Sequence, residues 1–125
     1  MATILIIEDE PDSANAFTHV LAENGHDVCL AADGIDALTR LRNGLEPALI
    51  VMDLALPQRN GWELLEDLQG DARWRKIPVI IASAFADMPI FISHSSVRVV
   101  LRKPFDPIDI AHEIDSILST PSASS

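Results

Sequence analysis

Acidic side chains come directly after two separate apolar runs of this sequence, and acidic groups in such positions can bind a metal ion. Glu8, Asp9 and Glu10 follow a run near the N-terminus, and Asp53 follows a second run. If both runs are parallel strands of one sheet, their carboxyl ends meet at one edge and bring the carboxylates together. Crowded carboxylates repel one another, so either their pKa values rise or a divalent cation lies among them. Ligands that are all oxygen favour Mg²⁺, which takes one or two carboxylates, several waters and a phosphoryl oxygen.

A hydroxyl group and an ammonium group follow two further apolar runs. Ser83 follows one run and Lys103 follows the other, so the same rule places both at the edge that holds Asp53. A carboxylate beside a metal ion, with a hydroxyl and a lysine facing the same space, is suited to phosphoryl transfer. The pattern therefore predicts a phosphoryl-transfer site built from side chains that lie far apart in the sequence.

Each of these residues taken alone also has a structural interpretation. The acidic group 8–10 suits the N-terminus of a helix, where the helix dipole favours negative charge. Asp53 alone is more often a capping carboxylate at the end of a strand. Ser83 is equally well a plain small residue after a strand, and Lys103 an exposed lysine in a turn. Their common position at one predicted edge favours the chemical interpretation.

Five short apolar runs alternate with segments of helical period along the chain, which is typical of βα units around a parallel sheet. The third and fourth runs are continuously apolar, as expected of strands that helices cover on both faces. The predicted fold class is therefore α/β, a flavodoxin-like (βα)₅ three-layer sandwich with a five-stranded parallel sheet. The predicted strands are 3–7, 27–31, 48–52, 78–82 and 97–101.

Proline and glycine mark the helix ends. Pro11 opens the first predicted helix and Gly25 ends it, since Pro suits the first helical turn and Gly the residue after the last one. The segment 86–96 contains Pro89 and several serines, so a helix there is expected to be short or irregular. The remaining helices are predicted over 33–43, from Gly61 to Gly70, and from Pro107 to Leu118 with Asp106 as the N-cap.

The composition limits the class of protein. The chain has 125 residues, which is the size of one domain, predicted over 1–118 and followed by a disordered polar tail at 119–125. A formal net charge of −10 repels nucleic acid and anionic membranes. The single cysteine, Cys29, excludes a disulfide framework and a cysteine-based zinc site. No apolar run approaches the roughly 18 residues of a membrane span, and no signal peptide precedes the first run, so a cytoplasmic protein without nucleic-acid or membrane partners is expected.

Four segments, in order and at characteristic intervals, resemble the receiver domain of two-component response regulators. They are IIEDEP at 6–11, IVMDLALPQRNGWEL at 50–64, PVIIASA at 78–84 and LRKPF at 101–105. The interval from Asp9 to Asp53 is 44 residues and that from Asp53 to Ser83 is 30, and both fit the family. The resemblance covers the chain from Thr3 to Leu118.

The resemblance implies a role for each residue of the predicted site. Asp53 matches the phosphoacceptor, which takes a phosphoryl group from a sensor histidine kinase or a histidine phosphotransfer protein. Ser83 and Lys103 match the groups that contact the phosphoryl oxygens. The implied Mg²⁺ ligands are Glu8, Asp9, Asp53 and the backbone carbonyl of Ala55. Such a stand-alone domain catalyses only its own phosphorylation and slow dephosphorylation, and it signals through a protein partner or a phosphorelay.

Two features depart from the family pattern. Val100 stands where family members usually have Tyr or Phe, and the chain contains no Tyr. The interval from Ser83 to Lys103 is 20 residues, which is about two fewer than usual, and the deficit falls in 86–96. An alternative function is a phosphorylation-independent interaction module that uses the altered surface of this segment. A flavin or nucleotide binder is less favoured, because the sequence has no Gly-rich phosphate loop.

Overall fold

Five runs rich in Ile, Leu and Val form the strands of one parallel sheet in a computed structural model, which describes residues 3–53, 61–83, 97–102 and 107–119. The strands are β1 Thr3–Ile7, β2 Asp27–Ala31, β3 Leu49–Met52, β4 Val79–Ser83 and β5 Val97–Arg102. They lie in the order β2-β1-β3-β4-β5, and every neighbouring pair is parallel. This is the strand order of flavodoxin-like sheets, so the predicted α/β class with a flavodoxin-like parallel sheet is confirmed. One of the five helices of the predicted (βα)₅ pattern, 86–96, lies outside the described residues.

Three of the predicted strands have boundaries that are wrong by one residue. β3 begins at Leu49 rather than at 48, and β5 extends to Arg102 rather than ending at 101. β4 covers Val79–Ser83 rather than 78–82, because a proline has no N–H with which to join the ladder. The carbonyl of Pro78 still accepts a hydrogen bond from the backbone N–H of Ile50, at 3.0 Å.

Four helices connect or flank these strands within the described residues. They are α1 Pro11–Glu23, α2 Gly34–Arg42, α3 Gly61–Gln69 and α4 Pro107–Ser119. α4 includes Ser119, so the predicted tail begins one residue too early. The rest of that tail lies outside the described residues. The predicted helix 86–96 and the predicted N-cap Asp106 lie outside them too. None of the helices in the described part of the chain is long and apolar enough to cross a bilayer.

Glycine ends α1 and α2 in the same way. Gly25 has a φ of 85° and Gly44 a φ of 104°, a region of backbone conformation that favours glycine. At the end of α2, the N–H of Leu45 donates to the carbonyl of Arg40 at 3.1 Å, and the N–H of Gly44 donates to the carbonyl of Leu41 at 3.2 Å. These two bonds form a Schellman motif, which stops the helix and turns the chain toward β3.

The strands bury side chains on both faces of the sheet. In β1, Leu5 and Ile7 join a cluster covered by α2 and α3, whereas Ile4 and Ile6 join a cluster covered by α1 and α4. All four residues of β3 are buried, as predicted for a strand with a helix layer on each side. Leu118 of α4 is half-buried and packs against the cluster covered by α1 and α4.

An ion pair holds the connection between α3 and β4. The carboxylate of Asp71 accepts hydrogen bonds from the backbone N–H of Arg73 at 2.8 Å and from its guanidinium at 3.0 and 2.8 Å. The guanidinium also lies 4.7 Å from the ring centre of Trp74. The hydrogen bond from the Arg73 side chain is the main cause that lowers the pKa of Asp71 from 3.8 to about 2.

We therefore expect the carboxyl group of Asp71 to titrate at a pKa of about 2 when its carboxyl carbon is followed by NMR. Because the folded-state pKa is lowered, the pair stabilises the fold above pH 3.8, and this contribution is lost as the pH falls toward about 2. Arg73→Gln should return the pKa toward 3.8, whereas Arg75→Gln, which removes a neighbouring exposed charge, should change it little. A wild-type pKa at the ordinary value would contradict the ion pair.

Candidate functional site

The carboxyl ends of β1 and β3 lie side by side at the point where the chain changes direction across the sheet. From β1 the chain crosses to β2 on one side, and from β3 it crosses to β4 on the other. Such a switch point leaves a crevice between the two connections, and in open α/β sheets ligands bind there. The structure therefore places the ends of these two strands at the most favourable position for a site.

Glu8 and Asp53 are neighbours across this switch point. The register of β1 and β3 pairs Ile7 with Met52, so Glu8 and Asp53 are the next residues on each strand. The N–H of Glu8 donates to the carbonyl of Ala31 at 3.0 Å, and the N–H of Asp53 donates to the carbonyl of Ile7 at 3.4 Å. The sheet ladder thus continues by one residue and fixes the backbone under both carboxylates.

The two carboxylates are withdrawn from solvent. The exposed fraction is 7% for Glu8 and 8% for Asp53. Burying a carboxylate is costly unless other groups compensate for the lost hydration. Two buried carboxylates on adjacent strand ends, at the switch point of the sheet, indicate a functional site.

Asp9 and Glu10 differ from Glu8 because both are exposed. The backbone N–H of Glu10 donates to the carboxylate of Glu8 at 3.3 Å, and the hydroxyl of Ser13 donates to the carboxylate of Glu10 at 3.3 Å. Glu10 is the N-cap residue of α1, and its side chain makes no capping hydrogen bond. Of these three acidic side chains, only Glu8 is therefore buried in the candidate site, whereas Asp9 and Glu10 are exposed to solvent.

The donor set suits Mg²⁺, although the described residues contain no group of three or more His, Cys, Asp or Glu side chains that could hold a metal ion by themselves. Mg²⁺ takes only one or two carboxylates and keeps several waters, so a complete protein cage is not required. The structure brings Glu8 and Asp53 together at one sheet edge, which fits that preference, whereas the role predicted for Asp9 as a ligand remains a prediction. Ala55, the further predicted ligand, lies outside the described residues.

The structure describes the positions of Ser83 and Lys103 less fully than those of Glu8 and Asp53. Ser83 is the last residue of β4, and in the register it pairs with Arg102, the last residue of β5. The backbone of Ser83 is therefore at the same edge of the sheet as Asp53. Lys103 follows Arg102 directly and lies outside the described residues. The roles predicted for Ser83 and Lys103 remain predictions.

Sequence reasoning missed a cavity of about 360 Å³ at the other edge of the sheet. Its lining comes from the end of α2 with the connection to β3, and from the connection between α3 and β4. No local motif marks this cavity, because its two walls are separated by the whole of β3 and α3.

Comparison with known proteins identifies relatives over almost the whole chain. The family model for the response regulator receiver domain matches residues 4–115. The protein PilH of Pseudomonas aeruginosa is 31% identical over 121 residues, which cover 95% of this chain and 99% of PilH. The DNA-binding response regulator MtrA of Mycolicibacterium smegmatis is 31% identical over 113 residues, which cover 89% of this chain and 48% of MtrA. The chain thus spans about half the length of relatives such as MtrA.

Solved structures of similar chains share this fold. The receiver domain of a signal transduction histidine kinase from Syntrophus aciditrophicus superposes with a TM-score of 0.82 at 29% identity, covering 98% of this chain and 96% of the other. The receiver domain of the sensor histidine kinase PA1611 from Pseudomonas aeruginosa superposes with a TM-score of 0.83 at 25% identity, covering 95% and 98%. The latter structure has a magnesium ion coordinated in its active-site cleft.

Proposed function

This chain belongs to the receiver domain family of response regulators, and from that premise we propose that Asp53 accepts a phosphoryl group from a phosphohistidine. The donor is a sensor histidine kinase or a histidine phosphotransfer protein in the cytoplasm. The observation that carries the proposal is the position of Asp53, which is buried beside Glu8 at the switch point of the sheet. Receiver domains are signalling modules, so the phosphorylated state is a signal and not an intermediate in the turnover of a metabolite.

Asp53 acts as the nucleophile in this proposal. One of its carboxylate oxygens attacks phosphorus, an O–P bond forms, and the P–N bond of the phosphohistidine breaks with its electron pair leaving on the imidazole. The product is an acyl phosphate on Asp53. The hydroxyl of Ser83 and the ammonium of Lys103 bind phosphoryl oxygens and oppose the charge that develops on them. Water later hydrolyses the acyl phosphate and resets the domain.

The residues that would hold Mg²⁺ are Glu8, Asp9, Asp53 and the backbone carbonyl of Ala55. When bound, the ion supplies positive charge that offsets the repulsion between the carboxylates and the incoming phosphoryl group. The oxygen-only donor set and the magnesium ion in the cleft of the related PA1611 receiver domain support this assignment. The low exposure of Glu8 and Asp53 limits the access of water to the same charges.

In this proposal the signal leaves through a protein partner or a phosphorelay. The alternative function remains a phosphorylation-independent interaction module, which Val100 and the short interval before Lys103 favour. The two functions differ in one observable, the uptake of a phosphoryl group.

Incubation with acetyl phosphate and Mg²⁺, followed by intact-mass measurement, tests the proposal. We expect the mass of one phosphoryl group to be gained with Mg²⁺ present and to be absent when EDTA removes the ion. The receiver domain of PA1611, treated in parallel, controls for the activity of the reagent. If that control is labelled and this protein is not, the proposed phosphoacceptor function is wrong and the interaction module is favoured.

A further inference from the structure

The cavity at the edge of the sheet remote from Asp53 has apolar walls that are already formed. Leu41 and Trp74 are buried at 2% and 7% exposure, and Leu45 and Ile77 pack against the same core cluster. A volume of about 360 Å³ lies within the range of small-molecule sites.

Backbone hydrogen bonds hold both walls in place. On one wall, the Schellman motif at Gly44 fixes the turn that carries Leu45. On the other wall, the N–H of Ile77 donates to the carbonyl of Trp74 at 3.0 Å, and the N–H of Trp74 donates to the carbonyl of Asp71 at 3.1 Å. A ligand would therefore enter a preformed site and would not have to order a loop at an entropic cost.

The charged side chains at the rim of the cavity differ in whether they already have a partner. The guanidinium of Arg73 is already engaged by the carboxylate of Asp71 at 3.0 and 2.8 Å. Arg42 and Glu46 also line the cavity, and within the part of the chain that the structure describes their side chains have no ion-pair or hydrogen-bond partner. One guanidinium and one carboxylate therefore remain available above an apolar pocket.

We propose that this cavity binds a free α-amino acid with a large apolar side chain, such as phenylalanine. Arg42 would pair with the ligand carboxylate, for which a guanidinium offers two parallel donors. Glu46 would pair with the ligand ammonium, and the ligand side chain would lie against Trp74 and Leu45. A plain anion is opposed by Glu46 and by the net charge of −10, and a plain cation is opposed by Arg42. A zwitterion satisfies both rim groups without adding net charge.

Calorimetry with the full chain and a set of matched ligands tests the chemistry. Phenylalanine should bind. Each of three analogues should bind at least about tenfold more weakly, because each lacks one of the groups that the site would contact. The analogues are 3-phenylpropionate, which lacks the ammonium, 2-phenylethylamine, which lacks the carboxylate, and alanine, which lacks the large apolar side chain. Failure of phenylalanine to bind, or equal binding of 3-phenylpropionate, would overturn the proposal.

Single substitutions test whether phenylalanine binds in this cavity. Arg42→Gln and Glu46→Gln should each weaken phenylalanine binding by about tenfold or more, and both replace exposed side chains, so the far-ultraviolet circular dichroism should not change. Arg75→Gln removes an exposed charge that does not line the cavity and should bind like the wild type. All three variants should still be labelled by acetyl phosphate, so this inference and the phosphoacceptor function can fail separately. An equal loss of affinity in Arg75→Gln would contradict the assigned site.

Discussion

Asp53→Asn should take up no phosphoryl group from acetyl phosphate and Mg²⁺, while the wild-type protein gains the mass of one. The amide has almost the shape of the carboxylate but lacks its negative charge, so it is not a nucleophile toward phosphorus at neutral pH. The backbone N–H of residue 53, which donates to the carbonyl of Ile7, is unchanged by the substitution. The loss of labelling would therefore report the loss of the nucleophile, and circular dichroism would verify that the fold is retained.

Asp27→Asn is the matched control for this experiment. Asp27 is an exposed carboxylate at the first residue of β2, at the edge of the sheet away from Asp53. Its amide variant should be labelled to the same extent as the wild type. Labelling of Asp53→Asn at the wild-type level would show that another carboxylate accepts the phosphoryl group, and peptide mapping would then be directed first at Glu8 as the buried neighbour.

The second large effect that we expect is a loss of Mg²⁺ affinity when Glu8 or Asp9 loses its charge. Asp9→Asn and Glu8→Gln should each weaken Mg²⁺ binding by at least about tenfold, since even residues outside the first ligand shell change metal affinity by roughly 10–100-fold. Mg²⁺ stabilises the folded state by RT ln(1 + [Mg²⁺]/Kd), so it should raise the melting temperature of the wild type more than that of either variant, which binds it more weakly. At saturating Mg²⁺, a tenfold weaker affinity corresponds to about 1.4 kcal/mol less stabilisation.

The positions of the two residues predict different effects on the metal-free protein. Asp9 is exposed, so water screens its charge and Asp9→Asn should leave the free energy of unfolding nearly unchanged without Mg²⁺. Glu8 is buried and accepts a hydrogen bond from the N–H of Glu10, a bond that the carbonyl of a glutamine can also accept. Glu8→Gln therefore removes the charge of this residue and keeps an acceptor for that hydrogen bond.

Asp12→Asn separates a specific metal site from general electrostatics. Asp12 is an exposed acid in the first turn of α1, three residues from Asp9, and it is no part of the predicted ligand set. Its amide variant should bind Mg²⁺ like the wild type. If Asp9→Asn also retains wild-type affinity, the acidic group serves only as the N-terminus of α1. If Asp9→Asn and Asp12→Asn lose affinity equally, the ion responds to net charge alone.

Local sequence signals were sufficient for the elements of the fold. Pro11 at the start of α1 and Gly25 after its end predicted helix ends that the structure confirms within about one residue. The continuously apolar runs predicted strands buried on both faces, and β3 is such a strand. These features are readable because a cap or a hydrophobic period involves only residues a few positions apart.

The candidate site could be predicted in part from the sequence. A parallel sheet brings the carboxyl ends of its strands to one edge, so a carboxylate after a strand indicates a site before any contact is known. Glu8 and Asp53 do lie side by side at that edge. The sequence could not separate Glu8, which is buried, from Asp9, which is exposed, because exposure at a strand end depends on what packs over it.

The cavity lined by Arg42, Glu46 and Trp74 was decided by tertiary structure alone. Its walls belong to two connections that lie far apart in the sequence and become neighbours only when α2 and α3 pack on the same face of the sheet. The charges of Arg42 and Glu46 carry no pattern that would mark them among other exposed residues. The proximity of side chains from distant segments arises from the packing of the whole chain, which no local sequence signal encodes.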